Sequence, residues 1–175
     1  MRCKTVLSII AFVTAFAVSV AVTPQTVRQT SPSSYYSKRC SETARKITNL
    51  LERDIANGQA RDRKMNRVLE QDASVGSPIY NLHYTAAVTA YTKESLAIDT
   101  ADLPNEFKSA WREHMNAWQK HSDFLNENVG LDGRILRERG FYRTSDAHIR
   151  EISETWYEVL RIARKHGAEI PAGAY

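Results

Sequence analysis

This 175-residue chain contains only two cysteines, Cys3 and Cys40. Cys3 lies in an N-terminal stretch that reads as a signal peptide. If that stretch is removed, Cys40 is alone; if it stays, the two sulfurs face opposite sides of a membrane. Either way a disulfide within one chain is excluded, and Cys40 is left as a candidate for an intermolecular bond that would make a dimer. Catalytic signatures are missing too. There is no Gly-x-Ser-x-Gly elbow, no His-Glu-x-x-His, no phosphate-cradling glycine loop and no dinucleotide fingerprint. Without Cys-x-x-Cys-His, covalent haem attachment by that motif is excluded, and without Glu-x-x-His so is the di-iron pattern of helical bundles. No segment alternates at period two for long enough to make a strand. No internal repeat and no Asn-x-Ser/Thr sequon occurs.

Charge of one sign is also in short supply. The formal net charge is +4, and it falls to +2 once Arg2 and Lys4 are removed with the signal. A surplus this small gives no reason to expect a nucleic-acid partner.

The signal itself is the first positive feature. Arg2 and Lys4 precede an uncharged, mostly apolar run from Thr5 to Val22, the n-region and h-region of a secretory signal. Ser19 and Ala21 are small enough to place cleavage after Ala21, with a second option after Ser19. The rival reading is an uncleaved anchor, because about eighteen apolar residues is near the minimum for a bilayer span. The expected organisation is therefore a signal over 1–21, a flexible Ser/Thr/Pro-rich tether over 22–38 and a single helical domain over 39–175. The tether reads TPQTVRQTSPSSYYSK from Thr23 to Lys38, with too little apolar surface to offset the entropy of ordering it.

Beyond Lys38 the apolar period is helical. Ala44, Ile47, Leu50, Leu51 and Ile55 form one stripe, with Gly58 as a candidate stop. A weaker helix is expected from about Ala60 to Asp72, followed by the breaking stretch Ala73–Pro78. From Pro78 to about Ile98 two adjoining stripes appear, Ile79/Leu82/Ala86/Ala90 and Tyr80/Tyr84/Ala87/Tyr91. So wide an apolar arc predicts a helix packed on more than one side, with Thr85, Thr89 and Thr92 on the remaining face. Asp102-Leu-Pro104-Asn-Glu106 signals another helix start. The helix that follows, to about Asn126, carries a seam of Phe107, Trp111, His114, Trp118, His121 and Leu125. A last helix is expected from Thr144 or Ser145, with Ile149, Ile152, Trp156, Val159 and Ala163 inward and a stop at Lys165-His166-Gly167. The sum is an all-α fold, an antiparallel helical bundle of four to five helices after an N-terminal signal peptide.

Three features bear on function. His114 and His121 share the buried seam, and with His83 they are candidate ligands for haem, copper or zinc. At a rise of 1.5 Å per residue, positions seven apart stand about 10 Å apart, so these two cannot chelate one ion without help from other helices. The competing reading makes them hydrogen-bonded core groups with no cofactor. His148 lies on the last helix. Second, Trp111, Trp118 and Trp156 either line a pocket or fill the core. Third, the connection NVGLDGRILRERGFYR from Asn128 to Arg143 is long for a helix–helix link, and such loops often carry function. Its Arg134, Arg137, Arg139 and Arg143 offer planar donors to carboxylate or phosphate. Phe141 and Tyr142 complete the candidate partner-binding set. Glu151, Glu154 and Glu158 fall on one helical face, expected to be solvated.

The function expected first is an exported, non-enzymatic protein, periplasmic or secreted, that binds another protein in the cell envelope or outside the cell. A stress factor, an inhibitor or an immunity-type protein fits that description. Membrane association is expected only if the signal is uncleaved. The alternatives are a metal- or haem-binding bundle and an envelope hydrolase with a carboxylate pair assembled by folding.

Overall fold

The computed structural model describes residues 32–71 and 74–174, with side chains from residue 41 onward. The signal over 1–21, the tether up to residue 31 and the Cys40 thiol lie outside the described residues. The described part is all-helical. Helix α1 spans Pro32–Glu70, α2 Pro78–Leu96, α3 Asn105–Asn128 and α4 Phe141–Lys165. Among the described residues, no helix is long and apolar enough to cross a membrane.

Helix α1 departs most from expectation. It begins at Pro32, inside the segment read as tether, and runs without a break through Gly58 to Glu70. Two helices were expected on either side of that glycine. A mid-helix glycine costs about 1 kcal/mol relative to alanine, which tertiary contact here outweighs. The stripe Ile47, Leu51, Asp54, Arg61, Met65 and Val68 continues in phase across Gly58, and the Tyr91 ring from α2 lies over the glycine. Packing therefore carries the helix through a position where its sequence suggests a stop.

Helix α2 starts as expected. Ser77 caps it, its hydroxyl accepting from the Tyr80 N–H, and Pro78 occupies the first turn. Its inner face differs from the sequence reading, however. The tyrosine stripe turns inward with Thr85, Val88, Thr92 and Ser95, whereas Ile79, Leu82, Ala86 and Ala90 all face solvent. Thr85 and Thr92 tolerate burial because each hydroxyl donates to the carbonyl four residues back, on Asn81 and Val88 respectively, both at 2.9 Å. Two of the three threonines expected outside are thus inside, and one apolar stripe lies uncovered.

Helix α3 buries its whole expected seam, Phe107 through Leu125. It packs against α2 on one side and α4 on the other. Helix α4 begins three residues before Thr144, with no side-chain cap. Gly140 turns the chain at φ 86°, and the buried Phe141 ring stacks on Phe124 at 5.1 Å, so an aromatic anchor fixes this start. The other end stops as expected, with Gly167 at φ 74° and the Ala168 N–H reaching back to the Ala163 carbonyl. The residues that follow return across the bundle. The Glu169 backbone pairs with the Thr48 hydroxyl, and the Ala174 carbonyl accepts from the Trp156 indole at 2.8 Å. The core centres on Ile47, Leu51, Val88, Phe107, Met115, Val159 and Leu160.

Candidate functional site

The seam histidines form the first candidate. His114 is buried on α3, with Trp118 one turn further on. The Trp118 indole N–H donates to His114 Nε2 at 3.2 Å, so Nε2 is an acceptor and the proton of the neutral ring sits on Nδ1. That nitrogen faces the Thr155 hydroxyl of α4 at 3.1 Å. The hydroxyl in turn donates to the Glu151 carbonyl at 2.8 Å. Burial pushes the His114 pKa down to about 4, and Trp156 packs on the ring at 5.1 Å. Both nitrogens are thus engaged inside the protein and offer no lone pair to a metal.

His121 is fully buried two turns later. Its Nε2 stands 3.2 Å from the Tyr84 hydroxyl of α2, and its ring meets that of His148 at 5.9 Å between centres. Burial pushes its pKa down to about 4, with His148 and the Arg61 charge acting the same way. His83, half-buried on α2, is absent from the partners of both seam histidines. The structure therefore does not gather the three candidate ligands. It pairs His121 with His148 instead, a juxtaposition that depends on how α3 meets α4. Among the described residues, no three His, Cys, Asp or Glu side chains cluster as a metal site.

The tryptophans fill space. Trp111 and Trp118 are buried and Trp156 is half-buried. Two shallow depressions, of about 190 and 250 Å³, lie elsewhere, around Lys46 and Asp102, and neither is lined by tryptophan.

A polar cluster missed in the sequence lies between α1 and α2. Asp54 is 4% exposed and accepts from the Tyr91 hydroxyl at 2.9 Å. Desolvation holds its carboxyl above the ordinary value, although hydrogen bonds from Ser95 and Tyr91 and the Arg61 charge oppose the shift. The Arg61 guanidinium lies over the Trp118 and Tyr91 rings at 4.9 and 5.1 Å. The available signal was periodicity: Asp54 and Arg61 continue the stripe of Ile47 and Leu51, where charge is out of place.

The α3–α4 connection is the second candidate, and it is well built. Residues 129–140 carry no helical turn. Val129 bridges Ile135 in antiparallel fashion, and Leu136 N–H donates to the Asn128 carbonyl at 2.8 Å. Gly130 and Gly133 close the turn between them, with Gly133 at φ 78°. The loop is seated on the start of α2, since a Cβ on Gly133 would fall 1.8 Å from the Pro78 carbonyl oxygen. The Asn81 amide ties two connections together, donating to the Gly76 carbonyl at 3.1 Å and the Gly133 carbonyl at 3.2 Å.

The candidate partner-binding residues separate here. Phe141 is buried and anchors α4, so it presents nothing to a partner. Arg134, Arg137, Arg139 and Arg143 are exposed, as is Tyr142 beside Gly76. Leu131 is 100% exposed, with Leu136 and Val75 also in solvent. The loop is seated on Pro78, next in sequence to Ile79 of the uncovered α2 stripe. Glu154 is exposed as expected, while Glu151 and Glu158 are half-buried and pair with Lys120 and Arg161.

No protein-family model, curated protein or solved structure matches this chain.

Proposed function

We propose that the chain is an exported, non-enzymatic protein that binds another protein, and that it does so through the outer face of α2 and the α3–α4 loop. In this reading the N-terminal signal is cleaved after Ala21 and the mature domain works in the periplasm or outside the cell. The helices form an antiparallel bundle. Two short connections, between α1 and α2 and between α2 and α3, and the packing of consecutive helices on one another support that arrangement.

The observation that carries the reading is an apolar surface left uncovered beside a basic one. Ile79, Leu82, Ala86 and Ala90 repeat at three- and four-residue spacing on the solvent side of α2. Leu131 and Leu136, on the loop seated at Pro78, and Tyr142, beside Gly76, are exposed at the same end of α2. Contiguous apolar surface of this kind on a soluble domain marks an interaction site. The four arginines alongside select a partner that brings carboxylates to the rim, and the seating of Gly133 on Pro78 presents the loop in one geometry. A preformed surface binds without the entropic cost of ordering.

Affinity capture from the native compartment tests this with two variants. One carries Ile79→Asp and Leu82→Asp, the other Arg134→Ala, Arg137→Ala and Arg139→Ala. The same partner should be lost from both by tenfold or more, while both variants keep the wild-type melting temperature. A partner recovered equally by wild type and both variants would remove this surface from the account.

A further inference from the structure

Three buried imidazole nitrogens lack a hydrogen-bond partner, Nδ1 of His121, Nδ1 of His148 and Nε2 of His166, and the first two belong to neighbouring rings where α3 packs on α4. An unpaired buried donor or acceptor costs about 1–3 kcal/mol. Two of them on neighbouring rings call for an occupant that both can bind. The His121 ring is held in place by the Tyr84 hydroxyl at Nε2 and by Trp118 meeting it edge-on. Phe124 meets the His148 ring edge-on at 5.1 Å.

We propose that His121 and His148 form a two-imidazole site for a monovalent copper ion. This site is separate from the α2 and loop surface. Its geometry follows from the ring spacing. An imidazole nitrogen binds a late first-row metal at about 2.0–2.1 Å, which puts each ring centre about 3.2 Å from the ion. Two such centres are about 5.2 Å apart at a tetrahedral angle and about 6.4 Å apart in linear coordination. The observed 5.9 Å, with planes 83° apart, falls between the two and corresponds to a bent arrangement of about 134° at the ion.

Charge selects the ion. No carboxylate or thiolate completes a three-ligand cluster among the described residues, and the Arg61 guanidinium lies over the Trp118 ring that borders His121. A buried divalent cation would carry two charges with nothing to neutralise them. A single charge between two neutral imidazoles costs far less, and cuprous copper accepts two ligands. A metal takes the lone pair of a neutral imidazole. When Nε2–H donates to the Tyr84 oxygen, that lone pair sits on Nδ1, and the tyrosine supplies the outer-shell bond that ligating histidines commonly make.

The test is an anaerobic titration of the full chain, purified without an affinity tag, with copper(I) against a competing chelator. One equivalent should bind and quench tryptophan fluorescence, and His148→Gln should weaken binding at least tenfold while His83→Gln leaves it unchanged. Imidazole nitrogen NMR of the wild type supplies a reading that does not depend on variant folding. The Nδ1 resonances of His121 and His148 should move together, and those of His114 should stay. Failure to bind copper(I), full binding by His148→Gln, movement confined to other histidines, or tighter binding of zinc(II) at the same nitrogens would each overturn the assignment. An unmoved spectrum would make a buried water the occupant.

Discussion

Replacing Gly133, a buried glycine of the α3–α4 loop, with alanine should destabilise the domain, and the size of the cost can be worked out. Two costs apply. The backbone sits at φ 78°, where an L side chain loses roughly 1–2 kcal/mol. A Cβ would also fall 1.8 Å from the Pro78 carbonyl oxygen, with the Pro78 carbonyl carbon at 2.5 Å. Backbone atoms at that distance cannot rotate away, so the loop must lift from α2. Lifting it breaks the bond from Asn81 to the Gly133 carbonyl, worth about 0.5–1.5 kcal/mol. The total is roughly 1.5–3.5 kcal/mol. Gly140 is the matched control, with φ 86° and nothing within 4 Å of a built Cβ. Gly140→Ala should therefore cost only the conformational part, about 1–2 kcal/mol. Urea denaturation followed by tryptophan fluorescence measures both, and hydrogen exchange should show faster amides at residues 130–136 in Gly133→Ala alone. Equal costs for the two variants would refute the seating of the loop on Pro78.

Other consequences follow from the same geometry. Gly58→Ala should stabilise the domain by roughly 0.5–1 kcal/mol, because a Cβ there meets Tyr91 at an ordinary 3.8 Å; a fall in the urea midpoint would contradict the continuous α1. Tyr91→Phe should cost about 1–3 kcal/mol by leaving the buried Asp54 carboxyl without its phenol donor, and a neutral result in the same assay would count against the cluster. Acid should destabilise the fold through His114 and His121, both held down to about 4. Their unfolded forms take up protons near pH 6.5, so their contribution is full above that pH and is lost as pH falls toward 4. The slope is up to about 1.4 kcal/mol per pH unit for each histidine. Asp54, held above its ordinary value, works in the opposite sense. Urea midpoints at stepped pH should show the decline, and His114→Gln should flatten it; an unchanged slope in that variant would remove His114 as a cause.

Much of the helical layout was legible because period and punctuation agreed. Pro78 after Ser77, Pro104 before Glu106 and Gly167 after Lys165 each mark an end that local chemistry enforces. Where the reading failed, a distant contact outweighed a local one. Gly58 reads as a stop, yet Tyr91 and the in-phase stripe carry α1 through it. Phe141 reads as loop, yet its stacking on Phe124 starts α4 early. The α2 stripes were both visible as apolar, but only packing decides that the tyrosines turn inward and Ile79 and Leu82 outward. That choice leaves the surface on which the functional proposal rests. The α3–α4 loop was singled out by its length, glycines and arginines, whereas its seat on Pro78 joins residues far apart in sequence. The His121–His148 pair was hidden for the same reason, since each histidine alone sits unremarkably on its own helix.

The most direct test of the account is a photo-crosslinking map in the native compartment. A photoreactive side chain is placed in turn at Leu131, Leu136 and Leu82, and at Tyr157, exposed on α4. The account predicts one common adduct from the first three positions and none from Tyr157. Adducts from Tyr157 alone, or the same yield from all four positions, would contradict it.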